Sequence, residues 1–212
     1  ALKMHGGVEK KNLKTENVDA LKEGLSNLNR QINNIKKFGI EPIVAINHFV
    51  LDTKKEIQTI INFCKNLNVE VSNCKHWAEG GSGILDLAKK VVRVCSNSRK
   101  QNFKLLYKDS NSLWDKIEII AKEIYRADKI TATDEIKQKL KTFENNGFKS
   151  FPVCIAKTQY SFSTDPKLKG APSNHEIPIR DVRLSSGAEF IVVICGSIMT
   201  MPGLPKVPAA DK

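Results

Sequence analysis

The chain is poor in the features that announce a function most directly. None of its 212 residues lie in a run approaching the roughly 20 consecutive apolar positions of a membrane-spanning helix. The opening Ala-Leu-Lys-Met-His-Gly-Gly lacks the charged, apolar and small-residue regions of a targeting segment. The five cysteines, Cys64, Cys74, Cys95, Cys154 and Cys195, are far apart, with no CxxC or Cys/His cluster of zinc-site spacing. No metal site is therefore expected, and an odd cysteine count without a signal peptide fits a reducing compartment. The four histidines, His5, His48, His76 and His175, are scattered, and neither a Ser/His/Asp nor a Cys/His order can be argued. Walker A and GxGxxG motifs are absent.

Charge has one dominant sign. Lys and Arg number 34 against 23 Asp and Glu, a net charge of +11. The lysines are dispersed in short pairs such as Lys36-Lys37 and Lys89-Lys90, most simply as solvated helix faces. Aromatics make up 7% and do not alternate with the basic residues, as single-strand binding would require. Nucleic acid is not expected as a partner; phosphate-bearing or polycarboxylate ligands suit the balance better.

What is present is enough hydrophobic sequence, 41%, for one large domain or a domain plus a smaller lobe. Residues 1–14, with Gly6-Gly7, read as a loop, and His5 as a polar loop residue. From Asn17, the positions Val18, Leu21, Leu25, Leu28, Ile32 and Ile35 recur at steps of three and four, so a long amphipathic helix is predicted, capped by Thr15 or Asn17 and ended by Gly39. Ile43–Ile46 is a short apolar run of the kind buried on both faces of a parallel sheet. Asp52 is a natural N-cap, and Thr53 with Glu56 makes a capping box for a helix through Ile57, Ile60, Ile61 and Cys64. A second strand at Val69–Val71 and a third helix from Ile84 to Cys95 complete a βαβα unit with parallel strands.

Beyond a polar stretch at 96–112 a second lobe is expected. It has helices from Leu113 to Arg126 and from Thr133 to Asn146, with Trp114 in a packing role. Strands are predicted at Phe151–Ala156 and Glu189–Ile194, and irregular segments at Lys157–Ser163 and Asp165–Asn174. Prolines 202, 205 and 208 predict a stiff final loop. The start without an initiator Met and the abrupt end predict that the chain is a piece of something longer.

The stretch from Pro42 to Gly83 carries the clearest candidate site. Phe49 and Trp77 each follow a predicted strand and are one strand–helix–strand crossover apart. Ligands in open parallel sheets sit outside the carboxyl ends of the strands. The two rings could sandwich a flat heterocycle, each stacking contact contributing about 0.5–1.5 kcal/mol beyond area burial; loop-anchoring aromatics would look the same. Glu79-Gly80-Gly81-Ser82-Gly83 precedes a helix, whose free N–H groups could hold an anion. Asn47 closes its strand in the manner of a base-reading asparagine, without the lysine and aspartate of a guanine-reading motif. Lys157 could supply a cation to a phosphate or carboxylate, and a polar strand end is an equally good reading.

These phrases together resemble the formate–tetrahydrofolate ligase family. The blocks are Ala1–Gly7, Asn27-Leu28 with Gln31-Ile32, Phe38-Gly39, Val44–Asn47 with Phe49 and Asp52-Thr53, His76–Gly81, Pro152–Cys154 with Ala156–Thr158, Ser185–Phe190, and Met199–Pro205. The resemblance implies an α/β chain: the C-terminal part of a parallel-sheet, P-loop-type layered fold at residues 1–96, belonging to the nucleotide- and folate-binding domain, and a smaller mixed α/β lobe at 97–212. It implies ATP with Mg, formate and tetrahydrofolate as substrates, no tightly bound cofactor, and formyl transfer to folate through formyl phosphate. A homo-oligomeric, cytoplasmic or mitochondrial parent enzyme is expected, with the phosphate-binding loop in a missing N-terminal part and this chain inactive alone. Phe49 and Trp77 match the aromatics that enclose folate. Met201, Pro202, Gly203, Leu204, Pro205 and Lys157 are implied to lie near the active site.

Three glycine positions of the family pattern differ here. Tyr125-Arg126-Ala127 stands for Tyr-Gly-Ala, Asn174-His175 for Gly-Phe, and Glu189 for the second glycine of Gly-Ala-Gly-Phe. Glycine reaches positive φ cheaply and Arg or Glu do not. An altered C-terminal lobe is expected on this ground, and a non-catalytic folate-binding or assembly relative is the alternative reading.

Overall fold

The computed structural model describes residues 1–97 and 103–196; the loop at Met201–Pro205 lies outside the described residues. Two α/β layers share one long helix. The first layer contains α1 (Leu2–His5), α2 (Val18–Lys37), β1 (Ile43–Asn47), α3 (Lys54–Asn66), β2 (Glu70–Cys74), α4 (His76–Glu79) and α5 (Leu85–Asn97). β1 and β2 pair in parallel, with Ile43 opposite Glu70 and Asn47 opposite Cys74. The second contains α6 (Leu113–Glu123), β3 (Lys129–Thr131), α7 (Asp134–Asn145), β4 (Val153–Ala156), β5 (Glu176–Ser185) and β6 (Phe190–Cys195). Its strand order is β3-β5-β6-β4, with β5 and β6 antiparallel and the outer pairs parallel. No helix among the described residues is long and apolar enough to cross a membrane.

The helix predicted from Asn17 forms because two different stripes run along it. Leu21, Leu25 and Ile32 are buried against Ile46, Ile57, Ile60 and Cys64. Asn27, Arg30, Asn34 and Lys37 recur at helical steps and all bond to the second layer. Asn27 donates to the Gly170 carbonyl (2.8 Å) and Asn34 to that of Ile124 (3.0 Å). Arg30 donates to the carbonyls of Tyr125 (3.4 Å), Ala171 (3.1 Å) and Pro172 (3.2 Å). Lys37 donates to the Glu123 carbonyl (2.7 Å) and pairs with its carboxylate. The N-cap is Asn17, whose side chain accepts the Ala20 N–H, and Gly39 follows the helix at φ +71°.

Residues 1–14 are not simply a loop. Leu2–His5 forms a helical turn laid directly on α2, where a Cβ on Gly6 would fall 1.7 Å from the Ala20 oxygen and one on Gly24 1.9 Å from the Leu2 oxygen. Backbone meets backbone there, a tertiary contact that periodicity cannot report. Lys3, buried, pairs with buried Glu56 at 2.9 Å. Glu56 also accepts the N–H groups of Asn17 (3.0 Å) and Thr53 (3.1 Å). Thr53, not Asp52, is the N-cap of α3; Asp52 instead closes the preceding turn by accepting the Phe49 N–H (2.9 Å).

Other expectations shift in position. The second strand runs Glu70–Cys74, later and longer than Val69–Val71. β1 is not covered on both faces, since Ala45 and Asn47 are exposed. The stripe on α5 is only partly inward, with Val91 and Val92 exposed.

Two strands were not predicted. β3 is three residues long and shows no pattern. β5, the longest strand, buries Ile177 and Ile179 and then Val182, because a register shift between Ile179 and Asp181 moves the alternation by one position. A bulge breaks period two in this way, and Pro178 inside the run argues against a strand.

The three positions where the family pattern has glycine share one backbone conformation. Arg126, Asn174 and Glu189 all sit in the left-handed region, at φ +58°, +57° and +57°. Non-glycine side chains in that region carry a cost of roughly 1–2 kcal/mol each, less for asparagine. Arg126→Gly and Glu189→Gly are each expected to stabilise the fold by about 1 kcal/mol, read as a higher denaturant midpoint at unchanged m-value. A loss of stability in both would show that these turns carry no strain.

Candidate functional site

β1 and β2 end side by side, and the chain leaving each strand carries one ring. After Asn47, the His48 N–H bonds to the Cys74 carbonyl (3.1 Å), prolonging the pairing by one residue. The His48 carbonyl then accepts the Trp77 indole N–H at 2.6 Å, so the second loop is tied to the first. The side chains of Asn73 and His48 meet at 3.1 Å below this contact. The Phe49–Asp52 turn is closed in both directions, by the Asp52 N–H to the Phe49 carbonyl and the Phe49 N–H to the Asp52 carboxylate, each 2.9 Å. Phe49 is 60% and Trp77 55% exposed, so both rings keep a free face. Val50 and Leu51 beside them are also exposed.

The glycine turn behind Trp77 is a 3-10 turn, Gly80–Ile84, entered through Gly80 at φ +58°. Gly83, the last residue of the glycine-rich stretch 79–83, is the glycine that packing demands. Its Cβ would lie 2.7 Å from the Lys75 carbonyl, while at Gly80 and Gly81 it would meet nothing within 4 Å. Asn47 lies at the end of β1 and, with Phe49 and Asp52, lines a cleft of about 470 Å³ that runs back over Ala1, Leu2 and Val44. His76 is exposed at the start of α4. Trp114 packs against the second core, with Lys137 over its ring at 6.0 Å.

Lys157 is in a different place. It follows β4 and lines a second cleft, of about 410 Å³, between α2 and the turn through Phe162. The two clefts share no lining residue, although α1 reaches both, through Leu2 and His5. The Lys157 ammonium donates to the carbonyls of Thr158 (3.0 Å) and Ser161 and lies 4.8 Å from the centre of the Tyr125 ring. Burial lowers its pKa to about 8. Burial likewise pushes the Tyr125 phenol and the Cys195 thiol up to about 12, so both stay neutral.

His175, where the family pattern has phenylalanine, is held as a neutral ring. Neither ring nitrogen has a partner at hydrogen-bonding geometry. Burial lowers its pKa, with Lys157 and Arg30 adding to the effect and the Phe162 backbone opposing it.

Among the described residues, no three His, Cys, Asp or Glu side chains converge as a metal site would need. The chain is an α/β protein whose adjacent parallel strands end in half-exposed rings, at the carboxyl edge where open α/β sheets place their ligands.

The family model described as formate–tetrahydrofolate ligase matches residues 1–212. The chain is 59% identical over 211 residues to the formate–tetrahydrofolate ligase of Pelagibacter ubique (strain HTCC1062). It is 53% identical over 212 residues to that of Sinorhizobium fredii (strain NBRC 101917 / NGR234) and 53% over 211 to that of Ruegeria pomeroyi (strain ATCC 700808 / DSM 15171 / DSS-3). The whole chain is covered in each comparison, but only 37%, 38% and 38% of the respective relatives. The chain belongs to the formate–tetrahydrofolate ligase family.

The partly buried His175 makes stability depend on pH with a definite sign. Its folded pKa is depressed, so the unfolded chain binds the extra proton. Stability should be constant above the unfolded value of about 6.5 and fall as pH drops below it, until the folded pKa is passed. His175→Phe should flatten this part of the profile, measured as the difference in urea midpoint between pH 7.5 and 5.5. An unchanged slope would place the titrating group elsewhere.

Proposed function

We propose that this chain is the folate-side portion of an ATP-dependent ligase that joins formate to tetrahydrofolate, giving 10-formyltetrahydrofolate. The observation that carries the reading is the pair of half-exposed rings, Phe49 and Trp77, held at the ends of neighbouring parallel strands by the Trp77–His48 bond. Stacking on both faces of the acceptor's heterocycle would fix its orientation, and orientation is where binding energy lowers a transfer barrier.

In the reaction implied by family resemblance, a formate oxygen attacks the γ-phosphorus of ATP, giving formyl phosphate and ADP. N10 of tetrahydrofolate then attacks the formyl carbon, phosphate leaves and the nitrogen loses its proton. The chain's part in this sequence is to hold the acceptor. Mg accompanies the nucleotide as substrate, and no step here is assigned to a metal held by these residues. Residues 1–96 belong, on this reading, to the nucleotide- and folate-binding domain, with Asn47, Gly80 and Gly81 near the active site, and 97–212 to a second lobe. The chain alone is inactive, and the parent enzyme is a cytoplasmic homo-oligomer.

The alternative, a non-catalytic relative, rests on Arg126, Asn174 and Glu189. Their left-handed backbone keeps the turns that glycine would make, which weakens it. Formate- and ATP-dependent turnover by the full-length protein separates the two.

The slot itself is tested through its tryptophan. In the 212-residue chain carrying Trp114→Phe, Trp77 is the remaining tryptophan, and tetrahydrofolate is expected to quench its emission saturably. Phe49→Ala should weaken binding about two- to tenfold, the equivalent of one stacking contact. Quenching with the same midpoint in Phe49→Ala would remove Phe49 from the slot.

A further inference from the structure

The second cleft has walls chosen for negative charge. We propose that it binds a small oxyanion, a phosphoryl or carboxylate group, with Lys157 as the counter-charge and the side chains of Gln31, Thr158 and Gln159 as hydrogen-bond donors. The lining polar groups are amides, hydroxyls, an imidazole and an ammonium, and none is a carboxylate.

Lys157 is fixed but not neutralised. Its ammonium rests on two backbone carbonyls and the Tyr125 ring, and it takes part in none of the ion pairs among the described residues. The titratable groups facing it from the surrounding elements bring no negative charge. His175 precedes β5, Tyr125 follows α6 and Cys195 ends β6, all three held neutral by burial. His5 on α1 is likewise pushed towards the neutral form, by burial first and by Lys169 next. Arg30 on α2 adds a second positive charge.

A partly buried ammonium without a counter-ion is costly, and an anion entering the cleft removes that cost while accepting hydrogen bonds. Thr158 is placed to give one: its Oγ1 accepts the Tyr160 N–H (3.3 Å), which leaves its own proton free to donate. The inference does not rest on the folate slot, since the clefts have no lining residue in common. Loss of one leaves the other standing.

Amine labelling of Lys157 in the full-length protein, followed by mass spectrometry at pH 8, tests the site. Inorganic phosphate and glutarate are compared with chloride at matched ionic strength. Either oxyanion is expected to protect Lys157 saturably while the paired surface lysines Lys129 and Lys139 label as before. Protection by phosphate alone assigns a phosphoryl group, and by glutarate alone a carboxylate. By calorimetry, Lys157→Met should weaken binding at least about thirtyfold, and Lys157→Arg and Gln31→Ala far less. Affinity should fall as pH rises past about 8, where Lys157 loses its proton. Protection no greater than in chloride, or unchanged affinity in Lys157→Met with its fold intact, overturns the proposal.

Discussion

The fold depends on α2 having two working faces. Its apolar stripe closes the first core, and its polar stripe, Asn27, Arg30, Asn34 and Lys37, holds the carbonyl-rich ends of the second layer. The join is made almost wholly to backbone oxygens. Such bonds are directional and each is worth only about 0.5–1.5 kcal/mol net, more when the donor is charged. They set the orientation of the layers better than a greasy contact would. Arg30 matters most, because one planar guanidinium gathers three carbonyls from two separate turns.

Glu56 plays the corresponding part inside the first layer. Its carboxylate joins the N-terminal turn through Lys3, the start of α2 through Asn17 and the start of α3 through Thr53. Burial works against its charge, and the three donors more than compensate, so the carboxyl lies below its usual range. This arrangement holds α3 between β1 and β2, and the strand ends that carry Phe49 and Trp77 inherit that placement. The candidate slot is thus built on bonds made at its own edge of the sheet, where Lys3 and Glu56 line the same cleft as Asn47, Phe49 and Asp52.

The second lobe holds non-glycine residues in a backbone conformation best suited to glycine. Arg126, Asn174 and Glu189 take left-handed turns, and neighbouring bonds frame the first two: the Asn174 N–H reaches the Arg126 carbonyl at 2.9 Å and the Asp128 N–H that of His175 at 2.9 Å. Two of the strained residues lie on either side of one such bond. His175 follows the same logic, a polar ring kept neutral in the place of an apolar one.

By itself the sequence determined the regular helices, the β1–α3–β2 unit and the positions of both aromatic rings, since hydrophobic period, caps and strand ends are local properties of the chain. It also carried the family resemblance, block by block. What it left open was decided by contacts between distant residues. The N-terminal turn exists because Gly6 and Gly24 let two backbones touch, and β5 because a bulge and a proline are tolerated once β3 and β6 supply partners on either side. Phe49 and Trp77 were legible as ring-bearing loops, but the bond from the Trp77 indole to the His48 carbonyl, which joins them, was not. Lys157 was legible as a cation that could meet a phosphate or carboxylate. That it stands in a separate cleft, without a carboxylate beside it, is a consequence of tertiary packing, because only folding decides which charges share a low-dielectric space.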